Sequence, residues 1–427
     1  MTDLNANRPG YKKTKVGWIP EEWEVNSLSD LCSIKGEYGA SEPAVEFSED
    51  LPRYIRITDI NDEGTLNPEE KCSANLSEEE IVKYKIRRND ILFARSGATV
   101  GKTYTHLTNH NNFVFAGYLI RFRPNAKKIN SIFLKNYTHS SRYWYWVNST
   151  SHAGAQPNIN AKEYGALPVP IPSLEEQLRI AEILSTWDRA IEQTRQLIDA
   201  KQWLKKGLMQ QLLTGRMRFP GFGAPTEKAG ELPEGWKTIK IGEAAKVFSG
   251  GTPSRSNPSF YGGSIPWIKS GELNQQFVFQ TEEKISELAL KNSSTKMVKK
   301  ETLLLALYGA TAGVPSITKI DAAINQAILA IEPKKIVRSR YLYYWLDFFK
   351  ATLVRKYTQG GQPNLSGKLV KAFRLNNPSL NEQLKILGCL STIDREILTL
   401  GHLVKRYKRQ KTGLMQTLLI GQIRITH

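Results

Sequence analysis

The sequence predicts two mixed α/β domains in tandem, separated by two long α-helices that form an antiparallel coiled coil, the whole being a pseudo-two-fold internal repeat. Three observations predict this. A helical element occurs twice; each copy carries a heptad seam; and each copy is preceded by a stretch of strand-like segments with helical ones behind them. At 427 residues the chain is long enough for two or three domains, each burying its own core.

The repeat is read directly. Residues 172–219 align without a gap onto 378–425, with 23 identities in 48 positions. Unrelated segments of this length would share roughly three. PSLEEQL meets PSLNEQL, LSTWDR meets LSTIDR, and KKGLMQQLLTG meets KTGLMQTLLIG. The preceding segments match only at anchors: IPEEW at Trp23 with LPEGW at Trp236, SGATVG at Ser96 with YGATAG at Tyr308, and GAQPNIN with GGQPNLS. The order is an N-terminal tail (1–19), a first domain (20–171), a first helix (172–218), a Gly/Pro-rich linker (219–232), a second domain (233–377) and a second helix (378–421).

In the second helix Ile386, Leu390, Ile393, Ile397, Leu400, Val404 and Tyr407 step alternately by four and three, a heptad seam. The first keeps the register with Ile180, Leu184, Trp187, Ile191, Thr194, Ile198 and Lys201. Ser173 and Ser379 are natural N-caps, with Glu176 and Glu382 placed to close capping boxes, and Gly215 and Gly421 are suitable stops. About 40 residues at 1.5 Å rise make a rod of roughly 60 Å. A single seam needs a partner. Packing on the helix's own domain or homodimerisation would serve, but two helices of equal length favour an antiparallel pair within the chain, with the domains at opposite ends.

In the domain stretches, RYIRITDI, DILFARSG and FVFAGYLIRFRP read as strands, while 131–150 and 339–357 read as helices. Sheet order does not follow from the sequence. Lys and Arg outnumber Asp and Glu 59 to 41, a net charge of +18, which indicates a polyanionic partner. Basic and aromatic residues interleave in both domains, Arg121 and Arg123 among them. Arg and Lys neutralise phosphates, and Arg, Asn and Gln can pair bidentately with base edges. Gln-Pro-Asn recurs in both copies, either as such a reader or as a turn.

Other chemistry finds little support. Gly97 to Lys102 has three residues between its glycines where a phosphate loop needs four, and Val314 stands at the lysine position of the second copy. Glu69-Glu70-Lys71 and Glu282-Glu283-Lys284, each ten residues after Asp59 or Glu272, resemble a nuclease metal motif. A self-sufficient metal-dependent nuclease is therefore one alternative, and a basic coiled-coil DNA scaffold another. His106 and His110 lack a zinc-protease glutamate, and nothing indicates S-adenosylmethionine binding by this chain. Three scattered cysteines suggest neither disulfides nor zinc, and no apolar run approaches the roughly 20 residues of a membrane span. A cytoplasmic protein without membrane contact is expected.

The openings GWIPEEWEVNSLSDL and GELPEGWKTIKIGEA, the GAQPNI and GGQPNL motifs, and the PSLxEQ, LSTxDR and GLMQ elements together resemble the specificity subunits of Type I restriction-modification systems, over essentially the whole chain. The resemblance implies a non-catalytic subunit whose two target recognition domains each read one half of an asymmetric, bipartite site in double-stranded DNA. It implies two methylating subunits docked on the helices, and restriction subunits in the full complex. S-adenosylmethionine, ATP and Mg2+ would belong to those partners, with no cofactor in this chain. Candidate DNA-binding residues beside the shared anchors are Arg56, Arg95, Ser96, Lys102, Gln156 and Asn158, then Lys269, Tyr308, Gln362 and Asn364. Candidate partner-docking residues, shared between the helices, are Glu176, Gln177, Asp188, Arg189, Glu382, Gln383, Asp394 and Arg395.

Overall fold

A computed structural model describes residues 5–109, 112–151, 157–228, 230–357 and 364–425. Two helices are far longer than any other element among the described residues, α1 (Leu174–Leu213) and α2 (Leu380–Leu418). The chain divides into two compact units, Met1–Arg195 with His402–His427, and Gln196–Gly401. Each unit thus holds a domain, the first part of one long helix and the last part of the other.

Within each unit the helix segments run antiparallel. In the first, Glu176 at the start of α1 meets Arg424 just past the end of α2 at 2.8 Å, and further along α1 Asp188 meets Lys411 at 2.7 Å. In the second, Lys205 meets Asp394 at 2.6 Å and Lys201 meets Glu396 at 2.7 Å. Rising numbers on one helix face falling numbers on the other. The heptad seam faces inward: Ile180, Leu184, Ile386 and Leu390 are fully buried, and Ile191, Ile393 and Val404 nearly so. Burial of each such side chain stabilises by about 1.5–3 kcal/mol. Thr194, the polar seam position, is also buried and donates its hydroxyl to the Ala190 carbonyl at 2.6 Å.

The two domains share a topology. In the first, a four-stranded sheet has the order Cys32–Tyr38, Leu119–Pro124, Ile91–Ala94, Thr103–Thr105. In the second, Ala245–Ser249, Ile328–Pro333, Leu303–Ala306 and Pro315–Thr318 take the same order, with Phe277–Val278 added at the edge. A second sheet pairs Phe113–Phe115 in parallel with Arg53–Ile55, and in the other domain Ala322–Ile324 in parallel with Tyr261–Ile268. These pairings join segments remote in sequence, which is why the sheet order could not be read from local pattern.

Two local expectations change. The stretch 131–150 is not one helix but two, Ser131–Tyr137 and Ser141–Thr150, because Ser140 caps the second by accepting from the Tyr143 amide at 3.3 Å. Its counterpart Ser339–Tyr357 is a single helix. The capping boxes of α1 and α2 are only half made. Ser173 and Ser379 accept from the amides of Glu176 and Glu382 at 3.2 and 3.3 Å, but the two carboxylates turn to the indole N–H of Trp23 and Trp236. Gly215 and Gly421 end the helices in the left-handed region, at φ 74° and 67°.

The main cores mix domain and helix. In the first unit Trp23, Phe93, Phe122, Phe133 and Tyr143 cluster with Ile180 and Leu184 of α1 and Met415 and Leu418 of α2. In the second, Trp236, Tyr341, Tyr344 and Phe373 cluster with Ile386 and Leu390 of α2 and Met209 and Leu212 of α1.

Candidate nucleic-acid interface

The first domain presents a cleft of about 670 Å³ lined by Ala40, Ser41, Tyr54, Arg56, Arg95 and Tyr118, among others. Strand Arg53–Ile55 ends at Arg56, and the chain enters the single turn Ile57–Asp59. Asp59 is buried and accepts from the Arg56 amide at 2.8 Å and from its guanidinium Nη2 at 2.8 Å. The buried carboxylate thereby fixes a half-exposed cation at the cleft wall.

Strand Ile91–Ala94 delivers Arg95 to the same cleft. Its guanidinium lies over the Tyr38 ring at 4.9 Å, and its Nε sits 3.5 Å from Asn158 Oδ1. Ser96 bridges Asn158 through the backbone, and the Gly97 amide donates to the Pro157 carbonyl at 2.9 Å. The structure thus brings Arg95, Ser96 and Asn158 together; Gln156 lies outside the described residues. Lys102 pairs with Asp62 at 2.7 Å. The glycine turn cradles no phosphate, because its amides are already used: Val100 donates to Gly97, Lys102 to Thr99, and Gly101 to Ala94 and the Tyr164 hydroxyl.

The second domain repeats this backbone frame bond for bond. The Arg95 amide donates to Tyr118, and the Leu307 amide to Ala327. Ala116 donates to Ile55, and Asn325 to Ile268; Ile159 donates to Arg95, and Leu365 to Leu307. Side chains at the equivalent positions differ: Arg56 against Lys269, Gly117 against Gln326 and Tyr118 against Ala327 are at least partly exposed in both domains, while Arg95 is replaced by Leu307, which is buried in the core. Tyr308 and Asn364, both exposed, flank the Leu365–Leu307 bond, while Gln362 lies outside the described residues. Lys269 is bonded instead to Glu282 and Glu283, at 3.0 and 2.9 Å.

Two exposed residues escaped sequence reasoning. Tyr118, 62% exposed, stands beside Arg95, and Arg255 lies over Tyr261 at 4.3 Å with its guanidinium on Glu283 at 2.8 Å. Arg255 sits in a Gly/Ser-rich loop, and that composition was the available signal. Conversely, Arg121 and Arg123 are structural, paired with Glu37 and with buried Asp90.

The nuclease-like carboxylates are likewise engaged. Glu272 accepts from the Lys269 and Glu282 amides at 2.6 and 2.8 Å, and Glu283 holds Arg255 and Lys269. Bonds to Arg255 and Lys269 hold the Glu283 carboxyl below the usual range. Among the described residues no group of three or more His, Cys, Asp or Glu could hold a metal ion. His106 is a core residue, 3.0 Å from the Tyr104 hydroxyl, and His110 lies outside the described residues.

On the helices, four expected docking residues are corrected. Glu176, Gln177, Glu382 and Gln383 are buried, and their polar groups bind inside the chain. Gln177 accepts from the Asn130 amide at 2.8 Å and Gln383 from the Arg338 amide at 2.9 Å; both donate to the proline carbonyl before their helix, at 3.0 Å. Glu176 and Glu382 hold Trp23 with Arg424, and Trp236 with Arg218. Sequence identity between copies marked these residues for a shared partner, whereas the shared requirement is attachment of each domain to its helix. Asp188 and Asp394 are half-buried against Lys411 and Lys205. Burial pushes the Lys411 ammonium below the usual lysine range, against the attraction of Asp188.

Arg189 and Arg395 are exposed. At helical spacing they share a face with Leu178 and Leu384, which are 56% and 45% exposed, and Leu174 and Leu380 lie one turn earlier. Leu174, Leu178, Ser185 and Arg189 in α1 are matched by Leu380, Leu384, Ser391 and Arg395 in α2. The sequence held the signal: these leucines are identical between copies yet lie off the seam.

The sequence pattern of the Type I restriction modification DNA specificity domain matches residues 20–200 and 233–404. The MjaIX specificity subunit of Methanocaldococcus jannaschii, a Type I restriction enzyme component, is 35% identical over 438 residues, covering 97% of this chain and 96% of that protein. The MjaVIII specificity subunit of the same organism is 25% identical, covering 95% and 94%. A chain from a structure on complex assembly and conformational transition of the type I R-M system aligns with a TM-score of 0.60 at 18% identity, covering 95% of this chain and 99% of that one. That likeness concerns the fold. No helix among the described residues is long and apolar enough to cross a membrane.

Proposed function

Because the chain belongs to the Type I restriction-modification DNA specificity family, we propose that each α/β domain reads one half of an asymmetric, bipartite site in double-stranded DNA. The chain acts as the specificity subunit and leaves chemistry to its partners. One observation carries the reading: a single backbone frame, built twice, bears different exposed side chains at its cleft. Equal frames with unequal surfaces suit two readers of two targets. The net charge of +18 supports a polyanionic ligand.

In the first domain, Arg56, Arg95, Ser96, Lys102 and Asn158, with Gln156 on the adjoining segment, face DNA. In the second, Lys269, Tyr308 and Asn364 do so, with Gln362. Two methylating subunits dock on the helices, where the duplicated Leu174, Leu178, Arg189 and Leu380, Leu384, Arg395 stripes offer one partner the same surface twice. Helix length sets the gap between half-sites. S-adenosylmethionine enters with the methylating subunits, and ATP and Mg2+ with restriction subunits.

Sequencing of modified adenines in cells expressing the chain with its neighbouring methylating subunit tests this reading. The expected result is a split, asymmetric motif with a fixed gap that disappears when the chain is deleted. A confirmed complex that leaves no such motif would refute it.

A further inference from the structure

We propose that Arg56 is the guanine-reading residue of the first domain, held for that task by Asp59. The inference rests on the DNA-reading function above and adds which base is read and by which atoms.

A guanidinium has two edges that can bind bidentately: the side edge, Nε–H with one Nη2–H, and the end edge, Nη1–H with the other Nη2–H. In Arg56 the side edge is taken. Nε lies 3.3 Å from Asp59 Oδ1 and Nη2 lies 2.8 Å from the same atom. The end edge carries no bond among the described residues, and Arg56 lines the open cleft beside Tyr118 and Arg95. Two parallel N–H donors match the O6 and N7 acceptors of guanine in the major groove and no other base so well. Asp59 is itself locked by burial and by the Arg56 amide, so the fork is oriented before DNA arrives.

The second domain supplies the contrast. Lys269 follows the same strand and its amide makes the same bond, to Glu272. An ammonium has no planar fork, and Glu282 and Glu283 occupy it. Guanine selectivity is therefore assigned to this position in the first domain alone.

The test uses the full chain in complex with its methylating subunits, selecting from a randomised duplex library, with wild type, R56K and D59N compared. R56K retains the charge and a bond to Asp59, so the fold persists. D59N keeps the guanidinium but weakens its hold. Both variants are expected to make one guanine position of one half-site degenerate, losing roughly 5- to 150-fold in selectivity there, with the other half-site unchanged. A uniform loss of binding with the motif intact would make Arg56 a phosphate anchor and overturn the proposal. An unchanged motif, or degeneracy at a position that is not guanine, would overturn it equally. A wild-type complex that selects no split motif would instead refute the specificity reading on which this one rests.

Discussion

Arg424, just beyond the end of α2, grips Glu176 at the start of α1 through two bonds, Nε to Oε1 at 2.8 Å and Nη2 to Oε2 at 3.1 Å. The same clamp recurs 206 residues earlier, where Arg218 meets Glu382 with both bonds at 2.9 Å. The end of each long helix therefore closes on the beginning of the other, and the carboxylate also anchors the tryptophan that opens the domain.

Removing one member of the more deeply buried clamp strands its partner. Arg218 and Glu382 are 4% and 2% exposed, against 24% for Arg424. E382A is expected to cost about 3–5 kcal/mol, as for other broken buried pairs, because it leaves Arg218 uncompensated and the Trp236 indole without an acceptor. E176A should cost less, and E382Q less than E382A. Urea denaturation of the purified protein orders the three, and a larger loss for E176A would refute the burial argument.

The duplicated leucine stripe makes a separate prediction about assembly. L178D and L384D change exposed side chains and should leave the denaturation midpoint nearly unchanged. Each is expected to remove one of two methylating subunits from the complex, and the double variant both. Native mass spectrometry of the co-expressed complex counts them. Full occupancy in the double variant would remove the stripe from the docking surface.

The repeat was legible because its two copies align without a gap, and the heptad seam and the tandem α/β organisation because they depend on residues close in sequence. Ile180 to Ile191 and Ile386 to Ile397 reveal a helix face within a few turns. Sheet order was not legible, since the parallel pairing of Val114 with Tyr54 spans a long excursion that no local pattern encodes. At the interface, Asn158 was found because Gln-Pro-Asn recurs and Ser96 because it borders the recurring Gly-Ala-Thr, whereas Tyr118 and Arg255 do not recur and were missed. Recurrence also misled. Glu176 and Gln177 are shared because both units solve the same internal attachment, and identity between copies cannot separate that constraint from a shared partner.

Glu63 gives the first unit a pH dependence. Arg195 donates to it at 2.8 Å and Lys408 closes on the same carboxylate. Partial burial works against the charged form, yet the bonds to Lys408 and Arg195 prevail and hold the carboxyl below its ordinary range. With the folded value depressed, the unfolded chain takes up the proton first. The stabilisation is present above the ordinary carboxylate value of about 4.3 and is lost as pH falls from there toward the folded value. Denaturation midpoints of wild type and E63Q should differ at pH 7 and converge in that acid window. A gap that persists at low pH would contradict the sign.

Gly39 tests how closely the backbone must approach at the cleft. A Cβ there would lie 2.2 Å from the Phe115 carbonyl oxygen, and one at Gly250 in the second domain 1.9 Å from that of Ile324. Neither oxygen can yield without breaking the sheet beneath it. G39A is expected to erase sequence selection in one half-site and G250A in the other, read by methylation mapping. Preserved motifs in both would show that the loops relax.

Domain exchange tests modularity, and the attachment chemistry says how to perform it. The first domain is held to α1 by the Trp23 indole on Glu176 and by the Asn130 amide on Gln177. None of these bonds involves the cleft. Replacing residues 20–171 with those of a relative that keeps a tryptophan at position 23 should therefore transplant a reader without disturbing Glu176 and Gln177. Methylation mapping is expected to show one half-site replaced, with the gap and the other half-site unchanged. A change in both halves would mean that the two domains do not read independently. Exchange into a chain carrying E176A should give a less stable protein than exchange into the unaltered chain, because the incoming tryptophan then finds no acceptor.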